Sequence, residues 1–257
     1  MIDRHSWRAS LCGTALVFAL IATVQGTEQN AATRPAQKSY TLGITKEGPT
    51  MVALTATDAK VSEIAADLAK RLGAQVIVGP SFQDEKITTQ FAGSPLELAL
   101  VSIAPHVLID YEVRQDAPPA PLGIYLLGNA DPDPSPSAVV RGTSQGMMVS
   151  GNTEDLGAPP PADAPLRVIY DKGRLTVFAK RQPLVAVLLT IADTMGVPAE
   201  IKRETTEIVD ANIKDTPQLE EAIAGLSPNV RVYVRADVTR FHRTLLRLVI
   251  VPPPAKQ

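Results

Sequence analysis

Cysteine and histidine are scarce in this sequence, and their scarcity limits the chemistry that the chain can perform. Cys12 is the only cysteine among 257 residues, and it lies in an N-terminal apolar segment. Without that segment the chain has no thiolate nucleophile, no disulfide and no Cys/His metal cluster, because only His106 and His242 remain. Phosphate-binding glycine motifs are missing as well. We therefore expect a non-enzymatic protein with no catalytic residue, no metal and no cofactor.

Adjacent carboxylates are the remaining groups that could perform general acid and base chemistry. Asp84 and Glu85 lie in a predicted turn, and Glu220 and Glu221 lie on a predicted helix. We interpret both pairs as solvated surface. The two histidines are likewise expected at the surface.

The sequence also lacks an excess of charge of either sign. Its 25 Lys and Arg residues and 27 Asp and Glu residues leave a formal net charge of -2. A broad basic surface for nucleic acid or anionic lipid is therefore not expected. Hydrophobic residues make up 45% of the chain and charged residues 20%, which is typical of a globular protein that buries a core.

Long apolar runs are missing after the N-terminus. Residues 11–24 form an apolar run of 14 residues that follows Arg4 and Arg8. This run is shorter than the roughly 20 residues that a spanning helix needs, so we interpret residues 1–26 as a secretory signal peptide cleaved after Gly26. Retention of the segment as an uncleaved anchor is the alternative. With cleavage, the mature protein is expected in the periplasm without a transmembrane segment.

Proline, glycine and serine mark the boundaries in the rest of the chain. They are dense from 129 to 165, which predicts a partly extended linker, although the AVV or MMVS stretch within it could form a short edge strand. The predicted segments are a signal peptide (1–26), a leader (27–38), a first domain (39–128), the linker (129–165), a second domain (166–252) and a tail (253–257).

The two predicted domains share one pattern of apolar residues. An apolar stripe at helical spacing ends at Gly73 in the first domain, and an equivalent stripe ends at Gly196 in the second. The two glycines are 196 - 73 = 123 residues apart, and we interpret the chain as an internal duplication. The matched positions are Val61, Ile64, Ala65, Leu68 and Leu72 in the first domain and Leu184, Val187, Leu188, Ile191 and Met195 in the second.

A second helix is predicted in each domain, and strands flank both helices. These helices are expected to open at Ser94 and at Thr216, each followed by proline, and Ser94 with Glu97 has the spacing of a capping box. Alternating apolar residues predict the strands. The expected fold class is α+β, with two tandem small domains that each pack two helices on one face of a short mixed β-sheet, in the order β-βαββαβ.

Several motifs in this order resemble a known family. The segments "VALTATDAKVSEIAADLAKRLGAQVIVGP" and "KITTQFAGSPLELALVSIAP" are similar to the short domain at the N-termini of secretins and TonB-dependent receptors. The segments "LTVFAKRQPLVAVLLTIADTMGVPAEI" and "IKDTPQLEEAIAGLSP" resemble a second, more divergent copy. Neither a transmembrane β-barrel nor a secretin channel is expected after the repeats. The resemblance therefore implies a periplasmic interaction module rather than a pore or receptor.

The two copies differ in charge on one predicted strand, on the face away from the core. The first copy carries Leu108, Asp110 and Glu112 there, whereas the second copy is basic and continues into a basic hairpin. A solvated strand face is one interpretation. The other is a surface for an acidic partner, such as a protein, an anionic envelope polymer or the acidic face of a neighbouring copy. The candidate partner-binding residues are Arg231, Tyr233, Arg235, Arg240 and Arg243.

Two functions remain open from the sequence. The first is a non-enzymatic protein–protein interaction module that scaffolds or recruits part of a cell-envelope secretion or uptake assembly. Its partner would be a periplasmic or outer-membrane protein, or a second copy of the chain, and strand addition at a sheet edge is one way to bind it. The alternative is a periplasmic binding protein that holds cell-wall polymer or a small ligand between the two domains.

Overall fold

The computed structural model of the chain describes residues 39–135, 147–149, 164–202 and 205–251. The predicted signal peptide, leader and tail lie outside these residues, and so does the AVV stretch of the linker. No helix within the described ranges combines the length and the apolar character needed to cross a membrane.

Each half of the chain contributes two helices and at least six strands. The elements of the first half (39–128) are β1 (Tyr40–Thr45), β2 (Met51–Lys60), α1 (Val61–Leu72), β3 (Gln75–Val78), β4 (Lys86–Pro95), α2 (Leu96–Val101), β5 (His106–Arg114) and β6 (Ala117–Leu127). The linker contributes β7 (Met147–Val149), within the MMVS stretch. The elements of the second half (166–251) are β8 (Leu166–Asp171), β9 (Arg174–Pro183), α3 (Leu184–Met195), β10 (Ala199–Ile201), β11 (Ile208–Thr216), α4 (Leu219–Ala224), β12 (Val230–Asp237) and β13 (His242–Ile250).

The strands of the described residues form three sheets, and the expected α+β fold class is wrong. Strands make up 52% of the structure and helices 20%, so the fold is mostly β. β1, β2 and β4 form one three-stranded sheet, and β8, β9 and β11 form another. The third, here called the large sheet, has seven strands in the order β3-β6-β5-β12-β13-β10-β7. The halves are therefore not two tandem domains that each pack helices on a sheet of their own.

The two longer helices, α1 and α3, each lie between two sheets, so the expected packing of helices on one face of a single sheet is wrong. α1 contacts β1 and β2 of the first small sheet and also β3 of the large sheet. α3 contacts β8 and β9 on one side and β10 and β13 on the other. The sequence of α3, LVAVLLTIADTM, is apolar around most of its circumference, as expected for a helix buried on two sides. Buried apolar residues of both halves merge into one continuous core.

Antiparallel pairing of β5 with β12 joins the two halves. Tyr111 pairs with Val234, and these two residues are themselves separated by the repeat spacing, since 234 - 111 = 123. A local two-fold axis therefore passes through this pair. α2 and α4 both contact β5, and α4 also contacts β12. The inner face of the junction is thus covered by one helix from each half.

The repeat is visible in local geometry as well. The two longer helices, α1 and α3, end at Gly73 and Gly196, whose φ values of 72° and 65° are the left-handed caps that the sequence predicts. Asp58 and Arg181, again 181 - 58 = 123 residues apart, have φ values of 51° and 50° at irregularities in β2 and β9. The capping box is not formed, because Ser94 belongs to β4 and α2 begins at Leu96 without a side-chain cap.

Candidate interaction surface

The pairing of β5 with β12 brings the acidic strand of the first half against the basic strand of the second. Asp110 lies opposite Arg235 in the sheet, and its carboxylate accepts two hydrogen bonds from that guanidinium, at 2.7 and 2.8 Å. The Asp110 residue is 1% exposed, so this bidentate ion pair is buried. Tyr125 on β6 donates its hydroxyl to the same carboxylate at 3.3 Å. Burial, followed by the charge of Asp110, raises the pKa of Tyr125 to about 12.

A second set of contacts continues across the large sheet. The Tyr233 hydroxyl donates to Glu112 at 3.0 Å, and Nε of Arg231 lies 3.6 Å from the same carboxylate. Arg247 lies over the Tyr233 ring, 5.0 Å from its centroid, and its Nη1 is 2.8 Å from the carboxylate of the fully buried Glu200. Burial, followed by Glu112, raises the pKa of Tyr233 to about 12. The sequence places Arg247 in the basic hairpin but not among the candidate partner-binding residues, and nothing in the sequence pattern singled out Glu200.

Arg240 and His106 form a third set of polar contacts, near the end of β12. Nη1 of Arg240 is 3.2 Å from the Asp237 carboxylate and 3.4 Å from that of Asp133. His106 lies between the same two carboxylates, with ring nitrogens 3.4 Å from Asp237 and 3.5 Å from Asp133. His106 is buried, although the sequence predicts it at the surface, whereas His242 is exposed as expected.

All five candidate partner-binding residues therefore contact polar groups of their own chain. Tyr233 and Arg235 are buried, and the side chain of Arg240 is the most accessible of the four arginines. The strand face that the sequence places away from the core is thus largely covered at these positions. Whether any of the five contacts a partner stays a prediction.

A cleft of about 620 Å³ opens where the two halves meet, next to the last of these arginines. Arg243 lines the cleft and bridges the halves, with its guanidinium 3.4 Å from Glu97 on α2 and 2.9 Å from Glu220 on α4. The Tyr111 hydroxyl donates to Glu97 at 3.1 Å. Burial, followed by the charge of Glu97, raises the pKa of Tyr111. Glu220, expected on the solvated side of its helix, is buried.

Apolar side chains line the cleft and project into solvent. Phe241, in the turn between β12 and β13, is 92% exposed, and Leu98 on α2 is 60% exposed. Tyr170 at the end of β8 is also exposed and lines the same cleft. Phe241 has a φ of 53°, in the left-handed region that a bulky residue rarely adopts. The sequence signal for Phe241 is that it is the lone aromatic residue in the polar turn TRFHRT, where the sequence-based predictions concern His242 and the two arginines.

The metal-ligating and acidic side chains of the described residues have the following arrangement. Within the described residues, no three His, Cys, Asp or Glu side chains cluster in a way that could hold a metal ion. Glu220 is held by Arg243, and its neighbour Glu221 is exposed on the helix surface. Asp84 and Glu85 are both exposed, as expected.

This chain matches no known family model, no curated protein and no solved structure. The resemblance to the short domain of secretins and TonB-dependent receptors therefore stays a prediction, and the cleft must be interpreted from its own residues.

Proposed function

We propose that this chain is a non-enzymatic periplasmic interaction module that holds a segment of a partner protein in the cleft beside Phe241. In this role it would scaffold or recruit part of a cell-envelope secretion or uptake assembly. The observation that carries the proposal is the exposure of Phe241, which is 92% accessible at the rim of the cleft. Aromatic residues, phenylalanine among them, are enriched at protein interfaces relative to the rest of the surface.

The energetics of Phe241 support binding over a purely structural role. A positive φ at a bulky residue costs about 1–3 kcal/mol, and such strain collects at functional sites. The exposed ring returns little of that cost within the folded chain. A partner that buries the ring would gain about 1.5–3 kcal/mol from the transfer out of water. The turn thus presents an apolar group whose free energy is recovered only in a complex.

The periplasmic part of the proposal rests on the N-terminal sequence, which lies outside the described residues. Arg4 and Arg8 before a 14-residue apolar run have the pattern of a secretory signal. Mass spectrometry of the protein from the periplasmic fraction should give a chain that begins at Thr27. An intact N-terminus in the membrane fraction would instead indicate an uncleaved anchor.

Site-specific photo-crosslinking tests the interaction. A benzoylphenylalanine placed at position 241 in living cells should give a defined adduct with one envelope protein, identified by mass spectrometry. The matched control is the same residue at position 208, because Ile208 is also an exposed apolar side chain but does not line the cleft. Equal adduct yields from the two positions would contradict the proposal.

The second candidate function has one observation in its favour. The cleft volume of about 620 Å³ lies within the range of roughly 300–1,000 Å³ that is typical of small-ligand pockets. Cell-wall polymer or a small ligand could then occupy the space between the halves. This function would be favoured if the purified protein co-sedimented with insoluble peptidoglycan and if Phe241→Ser reduced the co-sedimentation. In that case the benzoylphenylalanine at position 241 should give no adduct with a protein.

A further inference from the structure

The charges around the cleft identify the chemistry of its partner, provided that the proposed function holds. Four carboxylates line the cleft, those of Glu97, Glu220, Glu221 and Asp237, against the guanidinium of Arg243 and the imidazole of His242. Glu97 and Glu220 share the Arg243 guanidinium, which leaves one uncompensated negative charge among the three groups. The Asp237 carboxylate contacts the side chains of Arg240 and His106, which do not line the cleft.

Glu221 adds a second negative charge to the lining. It is exposed and has no ion-pair partner among the described residues. Like charges arranged around one concave surface focus the electrostatic potential within it. The cleft therefore favours a cation over an anion.

Apolar and aromatic groups share this surface with the carboxylates. Leu98 comes from the first half, and Tyr170 and Phe241 come from the second. An aromatic face attracts a lysine or arginine side chain as well as apolar groups. A segment with basic side chains between apolar ones would satisfy both features of the lining.

We infer that the cleft binds an extended segment of a partner protein in which lysine or arginine alternates with apolar residues. The charge of this partner is opposite to that of the acidic partner that the basic strand of the second half suggests. The reason is that Arg231, Arg235 and Arg243 are already neutralised by carboxylates of their own chain. An acidic segment would have to compete with Glu97 and Glu220 for Arg243 and would face Glu221, and like-charge contacts of this kind suppress binding.

Fluorescence anisotropy with synthetic peptides tests this inference on the purified mature chain. The probes are three fluorescein-labelled hexapeptides of sequence LKLKLK, LELELE and LQLQLQ. The lysine peptide should bind at least about tenfold more tightly than the glutamate peptide, and added salt should reduce the difference because the discrimination is electrostatic. The glutamine peptide should fall between them.

Two exposed substitutions locate the binding. Phe241→Ser should weaken all binding, and Glu221→Lys should weaken the lysine peptide more than the glutamine peptide. The matched control is Glu85→Lys, an exposed glutamate that does not line the cleft, and it should leave the affinities unchanged. Thermal unfolding verifies that each variant is folded.

The inference and the proposed function fail in different ways. Tighter binding of the glutamate peptide, or equal binding of the two charged peptides, overturns the inference and leaves the role of Phe241 intact. Absence of binding by every peptide also overturns the inference. Crosslinking at position 241 decides the proposed function separately, since it requires no assumption about the partner's charge.

Discussion

Removal of Arg235 from the junction should destabilise the whole chain. The Asp110 residue is 1% exposed, and in the variant Arg235→Met its carboxylate keeps, among the described residues, the Tyr125 hydroxyl as its hydrogen-bond donor. Removing one partner of a buried ion pair typically costs about 3–5 kcal/mol, because the other charge is left uncompensated. Typical domains have a total free energy of unfolding of about 5–15 kcal/mol, so the variant should lose about a fifth or more of it.

The assay is urea unfolding followed by far-ultraviolet circular dichroism. Trp7, the only tryptophan, lies in the predicted signal peptide, so tryptophan fluorescence would not report on the mature chain. The matched control is Arg174→Met, because the Arg174–Asp215 pair joins side chains that are 46% and 71% exposed. An exposed pair of this kind contributes about 0–1 kcal/mol.

A double substitution separates the charge from the packing. Asp110→Leu combined with Arg235→Met removes both charges together, and apolar replacement of a buried ion pair is often neutral or stabilising. The double variant should therefore unfold at higher urea than Arg235→Met alone. If Arg235→Met costs no more than Arg174→Met, or if the double variant is the less stable one, the ion pair does not hold the junction in the way described.

Other predictions concern the caps, the core and the tyrosines. Gly196→Ala should cost about 1–2 kcal/mol in thermal unfolding, because its φ of 65° is left-handed, whereas Gly43→Ala should be near neutral, since the added Cβ lies 3.7 Å from its nearest neighbour. Leu188→Ala on α3 should cost about 2–5 kcal/mol in urea unfolding. Tyr125 and Tyr233 have pKa values raised to about 12, above the ordinary value of 10.0, so the stability from their protonated form is complete below pH 10.0 and is lost as the pH rises towards 12. In unfolding experiments, Tyr233→Phe should reduce the loss of stability between pH 10.0 and about 12. Absorbance titration should show that tyrosinate forms at higher pH in the native chain than in the unfolded chain.

Features encoded by local periodicity were predictable from the sequence. The apolar stripes that end at Gly73 and Gly196 form α1 and α3, and the 123-residue spacing relates them in the structure as it does in the sequence. A helical stripe depends only on residues within a few turns of one another. Helix position and a left-handed cap can therefore be deduced without knowledge of the rest of the fold.

The pairing of strands was not predictable in the same way, and the fold class was wrong for that reason. Alternation shows that β5 and β12 have a buried face, but it does not indicate which strand each one pairs with. The contrast between Asp110 and Arg235 is visible in the sequence, but its two interpretations there are a solvated strand face and a surface for an acidic partner. In the structure the two side chains contact each other. Phe241 was missed because a single residue in a turn has no periodicity.

The two-fold register explains why the copies diverged in charge at the junction. Arg235 is the repeat equivalent of Glu112, since 235 - 112 = 123, and Tyr233 is in the same way the equivalent of Asp110. Pairing of two first-half strands in this register would place Asp110 opposite Glu112, and like charges directly opposite one another destabilise a sheet. Only the unlike strands place Asp110 opposite Arg235. The divergence therefore favours contact between the two halves over contact between like halves of separate chains, and Arg235→Glu would report on folding before it reported on any partner.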